Sequence, residues 1–152
     1  MPGHDAAICC LGSPATRAGK LRSVGTQNIL HSAAKLGVAR LVFQTSLGYG
    51  DSKPLLAFSP FVFRAIIVPF LLKKTFEDHQ LQEEYVKKSP LDWTIVRPGT
   101  LTDDQPTGVY RTGFGYHDRS VKAKIGRADV ADFLVNCLAD KSTFHQVLGI
   151  SY

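Results

Sequence analysis

Cysteine is scarce and what there is does not pair: Cys9 and Cys10 are adjacent and Cys137 is far away, so neither a disulfide framework nor a Cys/His metal spacing emerges. Buried thiols in a reducing compartment, with no metal site, are the expectation. The opening MPGHD has no basic stretch leading into an apolar core, which argues against a secretory leader and makes the cytoplasm the expected location. Internal repeats and low-complexity tracts are missing too, which excludes solenoids, collagen and coiled coils. Basic residues outnumber acidic ones by 18 to 13, giving +5, but they stand in ones and twos (Arg17, Lys20, Arg22, Lys73-Lys74, Lys87-Lys88). A nucleic-acid surface needs a basic stripe, so no nucleic-acid partner is expected. An anionic small ligand such as a dinucleotide suits the charge.

What is present fits one ordinary globular domain over residues 1–152, with 44% hydrophobic and 20% charged residues. The longest apolar stretch, Leu55 to Leu72, matches a short membrane span in length but carries Arg64 in its middle and Pro60 and Pro69 within it. Charge and broken backbone bonds in lipid are costly, so no membrane partner is expected. A buried helix or an apolar lid fits better, with Phe58, Phe61, Phe63 and Phe70 walling a pocket.

Ala6 to Leu11 is a short continuous apolar run ending in Gly12-Ser13-Pro14, which predicts a strand buried on both faces. Leu21, Val24, Ile29, Leu30, Ala33, Ala34 and Leu36 recur at helical spacing before Gly37, a C-terminal cap. Arg40 to Thr45 predicts a second buried strand. Lys73 to Lys88 predicts a solvated amphipathic helix stopped by Ser89-Pro90, and Asp92 to Val96 a third strand closed by Arg97-Pro98-Gly99. Val109 to Tyr116 and Ser120 to Ile125 read as a short hairpin or irregular arm, Arg127 to Ala139 as a helix, and Val147 to Ile150 as a final strand. Alternating strands and helices predict an α/β, Rossmann-like, doubly wound parallel sheet of about four main strands. Right-handed crossovers place every strand's carboxyl end on one edge, where ligands of such sheets bind. The bends at Gly12-Ser13, Thr45-Ser46 and Arg97-Pro98-Gly99-Thr100 should meet there.

The segments CLGS at 10–13, VGTQNIL at 24–30, LVFQTSLG at 41–48, EDH at 77–79 and DWTIVRPGTLTDDQPTGVY at 92–110 run through nearly the whole chain. In that order they resemble the atypical short-chain dehydrogenase/reductase group with its NmrA-like proteins, on the flavin reductase (NADPH)/biliverdin-IXβ reductase branch. The resemblance implies an NAD(P)-binding fold that is truncated at its N-terminal side. The family opens with a GxxGxxG turn for the pyrophosphate, this sequence holds none, and its first strand resembles the family's fourth. Ala6 to Leu11 would then form an exposed sheet edge open to a homodimer or another partner.

The resemblance implies NADP or NAD as cofactor and hydride transfer to a planar small-molecule acceptor, a flavin, quinone or tetrapyrrole. The alternative is a non-catalytic NmrA-like regulatory or binding module, or a truncated remnant that docks on a partner. The resemblance places Gly12, Ser13, Arg22, Gln44, Thr45, Ser46, Pro98, Gly99, Thr100 and Leu101 at the cofactor and Ser46 and His79 at the chemistry, with the Thr45 and Ser46 hydroxyls beside the nicotinamide. Tyr49-Gly-Asp-Ser-Lys53 copies the Tyr-x-x-x-Lys count of the classical dehydrogenases, which works only when the two lie one helical turn apart. Gly48, Gly50 and Pro54 make a helix there improbable, so no Tyr-Lys pair is expected.

Overall fold

The computed structural model describes residues 3–14, 17 and 19–152. Strand β1 (Ala6–Cys9), helix α1 (Leu21–Leu36), β2 (Arg40–Gln44), α2 (Lys73–Lys87) and β3 (Asp92–Pro98) follow in turn. Then come β4 (Thr100–Thr102), β5 (Arg111–Thr112), β6 (Lys124–Gly126), α3 (Arg127–Ala139) and β7 (Gln146–Ser151). Among the described residues the main sheet has the order β1-β2-β3-β7-β5. Its first four strands are parallel, with Ala6 opposite Arg40, Leu41 opposite Trp93 and Val96 opposite Leu148.

The side-chain alternation of the central strands builds two cores. Leu41, Phe43, Trp93 and Ile95 pack with Ala33 of α1 and Val86 of α2. Val42 and Val96 point the other way, onto Val130, Leu134 and Cys137 of α3. Near-continuous apolar runs are what a sheet covered on both faces requires. The connections β1 to β2 and β2 to β3 pass over one face, whereas β3 to β7 steps the same way across the sheet with α3 on the other. That last connection therefore has the opposite hand, and uniformly right-handed crossovers are not what the chain adopts.

Arg40 ties the amino ends of the central strands together. Buried, it donates to the Asp92 carbonyl at 3.0 Å, to the Thr94 and Thr143 hydroxyls at 2.8 and 3.1 Å, and to the Cys137 carbonyl at the end of α3. Its guanidinium also lies 4.1 Å from the Phe144 ring centroid. A cation on the last carbonyls of a helix is favourably placed.

Several expectations are corrected. β1 stops at Cys9 and is an edge strand, so Ile8 and Cys10 are exposed rather than buried. Of the two forms expected for the 109–125 region the irregular arm is found and the hairpin is not, because β5 pairs antiparallel with β7 while β6 pairs parallel with β4. A 3₁₀ helix does form at Gly50–Phe58 with Pro54 inside it, started by Ser52, whose hydroxyl accepts from Gly48 N–H at 3.0 Å and donates to Tyr49 O at 2.7 Å. Tyr49 itself is extended, outside that helix, so it and Lys53 are not stacked on one turn. Phe63–Leu72 is a π-helix, and Phe58, Phe61 and Phe70 face solvent instead of a pocket. The Phe63 side chain lies outside the described residues.

Candidate functional site

The carboxyl ends of β1, β2 and β3 open onto a cavity of about 720 Å³. Gly12, Ser13, Arg22, Gln44, Thr45, Ser46, His79, Pro98, Gly99, Thr100 and Leu101 all line it. Three bends separated by dozens of residues thus meet at one rim, as a parallel sheet dictates. Arg127, Val130, Ala131 and Leu134 of α3 form a further wall that sequence reasoning missed. Their i, i+3, i+4, i+7 spacing marks one helix face, but Val130 and Leu134 read simply as core.

Backbone bonds hold the rim in register. Thr45 N–H donates to Val96 O at 2.8 Å and Leu47 N–H to Pro98 O at 3.0 Å, so the pairing of β2 with β3 continues past the strand end and presents Ser46 between two fixed residues. Next along the rim, Thr100 N–H donates to Ala123 O at 2.8 Å. A Cβ on Gly99 would sit 2.4 Å from the Ala123 carbonyl carbon, so only glycine lets the two backbones approach this closely.

Helix α1 begins without a side-chain cap from its own segment. Asp78 of α2 supplies one from 56 residues away, accepting from Arg22 N–H at 2.9 Å, Ser23 N–H at 3.0 Å and the Ser23 hydroxyl at 2.6 Å. A carboxylate there satisfies orphan donors and complements the helix dipole. The Arg22 side chain is buried beside Asp78 and donates to Ser13 Oγ at 3.3 Å and Ser13 O at 3.2 Å. Its Nε is buried with no hydrogen-bond partner. With Arg127 it gives the cavity two guanidinium groups, and no carboxylate is among the described lining residues.

Beneath the Thr45–Asp51 loop lies Glu83 of α2. Its Oε1 accepts from Thr45 Oγ1 at 2.9 Å, Tyr49 OH at 2.5 Å and Arg97 Nε at 2.8 Å, and its Oε2 from Arg97 Nη2 at 2.6 Å and Lys87 Nζ at 3.0 Å. Arg97 also pairs with Asp51. Burial alone would raise the Glu83 pKa, but the Arg97 hydrogen bonds and charge outweigh it and hold the carboxyl at about 2. The Thr45 hydroxyl therefore gives its proton to Glu83 and has only acceptor capacity left for a ligand in the cavity. Burial, then the Glu83 charge, push the Tyr49 phenol above its usual range, so it remains protonated.

His79 is buried rather than on the helix surface. Its ring stacks on Tyr49 with centroids 5.7 Å apart and planes at 10°. Nδ1 lies 3.1 Å from Gln82 Oε1. Burial first, and the Arg22 charge second, pull its pKa down to about 4, so the imidazole is neutral near pH 7. The half-buried Ser46 hydroxyl donates to Leu47 O at 3.0 Å.

A second chamber of about 290 Å³ adjoins the first. Leu47, Leu55, Leu56, Leu72 and Phe76 make it apolar, and the buried Thr75 hydroxyl on its wall has no hydrogen-bond partner. Ser46, His79, Gly99 and Thr100 line both spaces. Among the described residues no cluster of three or more potential metal ligands occurs, and no helix is long and apolar enough to cross a membrane.

Residues 1–141 match the NAD(P)H-binding family. A chloroplastic Arabidopsis thaliana protein, itself uncharacterised, is 29% identical over 131 residues, 86% of this chain and 45% of that protein. An anaerobilin reductase from Escherichia coli superposes with a TM-score of 0.73 at 26% identity over 96% of this chain and 63% of its own. A short-chain dehydrogenase/reductase from Veillonella parvula, solved in complex with NADP, gives 0.70 at 14% identity over 99% and 64%. The chain thus spans less than half of that curated relative and under two thirds of those two structures.

Proposed function

The chain belongs to the NAD(P)H-binding family, and on that premise we propose that it is a reductase of the atypical short-chain group, taking NADPH or NADH in the cationic cavity and a planar acceptor in the apolar chamber. One observation carries the reading: the two spaces share a wall of Ser46, His79, Gly99 and Thr100, so a polar anion-favouring site opens onto an apolar one across a few residues. Flavins, quinones and linear tetrapyrroles have a flat conjugated face that suits such an apolar wall, and a chamber of about 290 Å³ takes part of such a molecule.

The donor set fits a dinucleotide. No carboxylate is among the described lining residues, Arg22 pairs with Asp78 and Arg127 with Asp103 behind that lining, and the orphaned Arg22 Nε is the donor left for an anion. The volume is in the usual range for small-molecule sites. Among the described lining residues, Arg22, Arg127 and the Gly12-Ser13 backbone are the groups placed to meet phosphates. When bound, NAD(P)H supplies the hydride. The chain's own tasks are to bind, orient and keep water out. Ser46 offers a hydroxyl at the junction, and Leu55, Leu56 and Leu72 dry the acceptor side. His79 is neutral and Tyr49 is locked to Glu83, so neither is a ready proton donor, and an acceptor of this class takes its proton from solvent.

Titrating the chain with NADPH while following nicotinamide fluorescence, and assaying oxidation of NADPH by FMN, tests the proposal. Saturable binding that weakens about tenfold in Arg22→Gln, equivalent to about 1.4 kcal/mol, supports it. The exposed β1 edge favours a second reading, a non-catalytic module that pairs through that strand. No NADPH binding together with a concentration-dependent dimer would decide for it.

A further inference from the structure

The 58–71 segment turns a strongly apolar surface to solvent. Phe70 is 84% exposed and Phe61 71%, with Val62, Ile66, Phe58 and Leu71 around them. The Phe61, Ile66 and Phe70 spacing suits the wide i→i+5 winding of the π-helix over Phe63–Leu72, which brings residues four or five apart onto one side. Exposed apolar patches of this kind mark contact surfaces.

The charge around the patch identifies what it contacts. From Ser52 to Phe76 the sequence carries Lys53, Arg64, Lys73 and Lys74 and no acidic residue. The Arg64 guanidinium sits 5.9 Å from the Phe61 ring centroid and that of Arg119 5.8 Å from the Phe58 centroid, so cations border the aromatics directly. Aromatic side chains ringed by cations are the composition of an interfacial segment that lies in the plane of a membrane. A second copy would bring the same cations face to face. The segment holds two prolines and Arg64, which suits lying on lipid and not crossing it.

We propose that the outward face of residues 58–71 docks on an anionic lipid surface, inserting Phe61 and Phe70 while Arg64, Lys73 and Lys74 meet the headgroups. Lipid docking replaces the expectation that no membrane is involved, which addressed a span. It stands independently of the cofactor reading, because it rests on the outer side of the segment.

Sedimentation of the full chain with vesicles of phosphatidylcholine alone, or mixed equally with phosphatidylglycerol, tests it. The chain should sediment with the mixed vesicles, release with added salt, and lose about tenfold in partitioning as Phe61→Ser/Phe70→Ser and as Lys73→Glu/Lys74→Glu. In Phe70→Trp the added fluorescence should shift to the blue with mixed vesicles. Far-UV circular dichroism matching the parent chain establishes that each variant is folded, and the charge variant, wholly on the surface, serves if the Phe pair is not. Failure to sediment with mixed vesicles at low salt overturns the proposal. So does binding that the folded variants leave unchanged, or a dimer of the parent chain that Phe61→Ser/Phe70→Ser dissociates.

Discussion

Arg97 and Glu83 meet as a two-bonded pair, Nε to Oε1 at 2.8 Å and Nη2 to Oε2 at 2.6 Å, with both side chains buried. The pair joins β3 to α2 directly under the loop that carries Ser46, and the same carboxylate takes the Thr45 and Tyr49 hydroxyls. Two desolvated charges are tolerable only because nearly every lone pair and proton has a partner.

Replacing Glu83 with Gln leaves Arg97 charged, buried and short of its counterion. The expected loss is about 3–5 kcal/mol of stability, the range for breaking a buried pair from one side. Urea denaturation followed at Trp93 measures it. A loss below about 1 kcal/mol would mean that Asp51 alone satisfies Arg97.

Acid should weaken the fold in two windows. His79 has a folded pKa of about 4 against roughly 6.5 unfolded, so the fold prefers its neutral form. That contribution, of order 3 kcal/mol, is complete above the unfolded value and is lost as pH falls towards about 4. Glu83 is held at about 2 against roughly 4.3 unfolded; its contribution is complete above the unfolded value and declines as pH drops towards about 2. Urea midpoints recorded against pH should therefore fall first through the histidine window. His79→Gln should flatten that part and leave the lower one.

The site's outline was legible in the sequence because it follows from topology alone: once Ala6–Cys9, Arg40–Gln44 and Asp92–Pro98 are parallel neighbours, Gly12, Ser46 and Pro98 must share an edge. Its supports were not. Asp78 and Glu83 sit in a charged helix that reads as solvated, and their partners, Arg22 to Ser23 and Thr45 to Arg97, belong to other elements. Composition likewise shows that the 55–72 segment is apolar without showing which side chains turn inward; Leu55 and Leu72 do, and Phe61 and Phe70 do not.

Tyr49→Phe separates a structural phenol from a catalytic one. The Tyr49 hydroxyl donates to Glu83 and stays protonated, so removing it costs a charge-assisted hydrogen bond, about 1.5–3 kcal/mol, while the ring keeps its stack on His79. NADPH affinity and FMN-dependent turnover should each stay within about threefold of the parent chain. A fall of about 10²-fold or more in turnover would instead assign Tyr49 the proton transfer, since that is the usual worth of a general acid.

Gly99 and Gly37 make a controlled pair. Gly37 caps α1 at φ 73°, far from the cavity, with nothing near a built Cβ; Gly37→Ala should cost about 1 kcal/mol in backbone strain and leave NADPH affinity unchanged. At Gly99 the cost is steric: the new methyl would lie 2.4 Å from Ala123 C and 2.6 Å from Ala123 O, and Ala123 is already held at φ 51°. Relief requires β6 to retreat from β4, and β6 leads straight into Arg127, Val130 and Ala131 on the cavity wall. Gly99→Ala should accordingly lower the thermal midpoint and weaken NADPH binding together, by about tenfold or more for binding. Thermal melts and fluorescence titrations on both variants check the contrast. If Gly99→Ala lowers only the melting point, α3 keeps its place without the close crossing, and the 99–123 contact is not what sets the shape of the cavity.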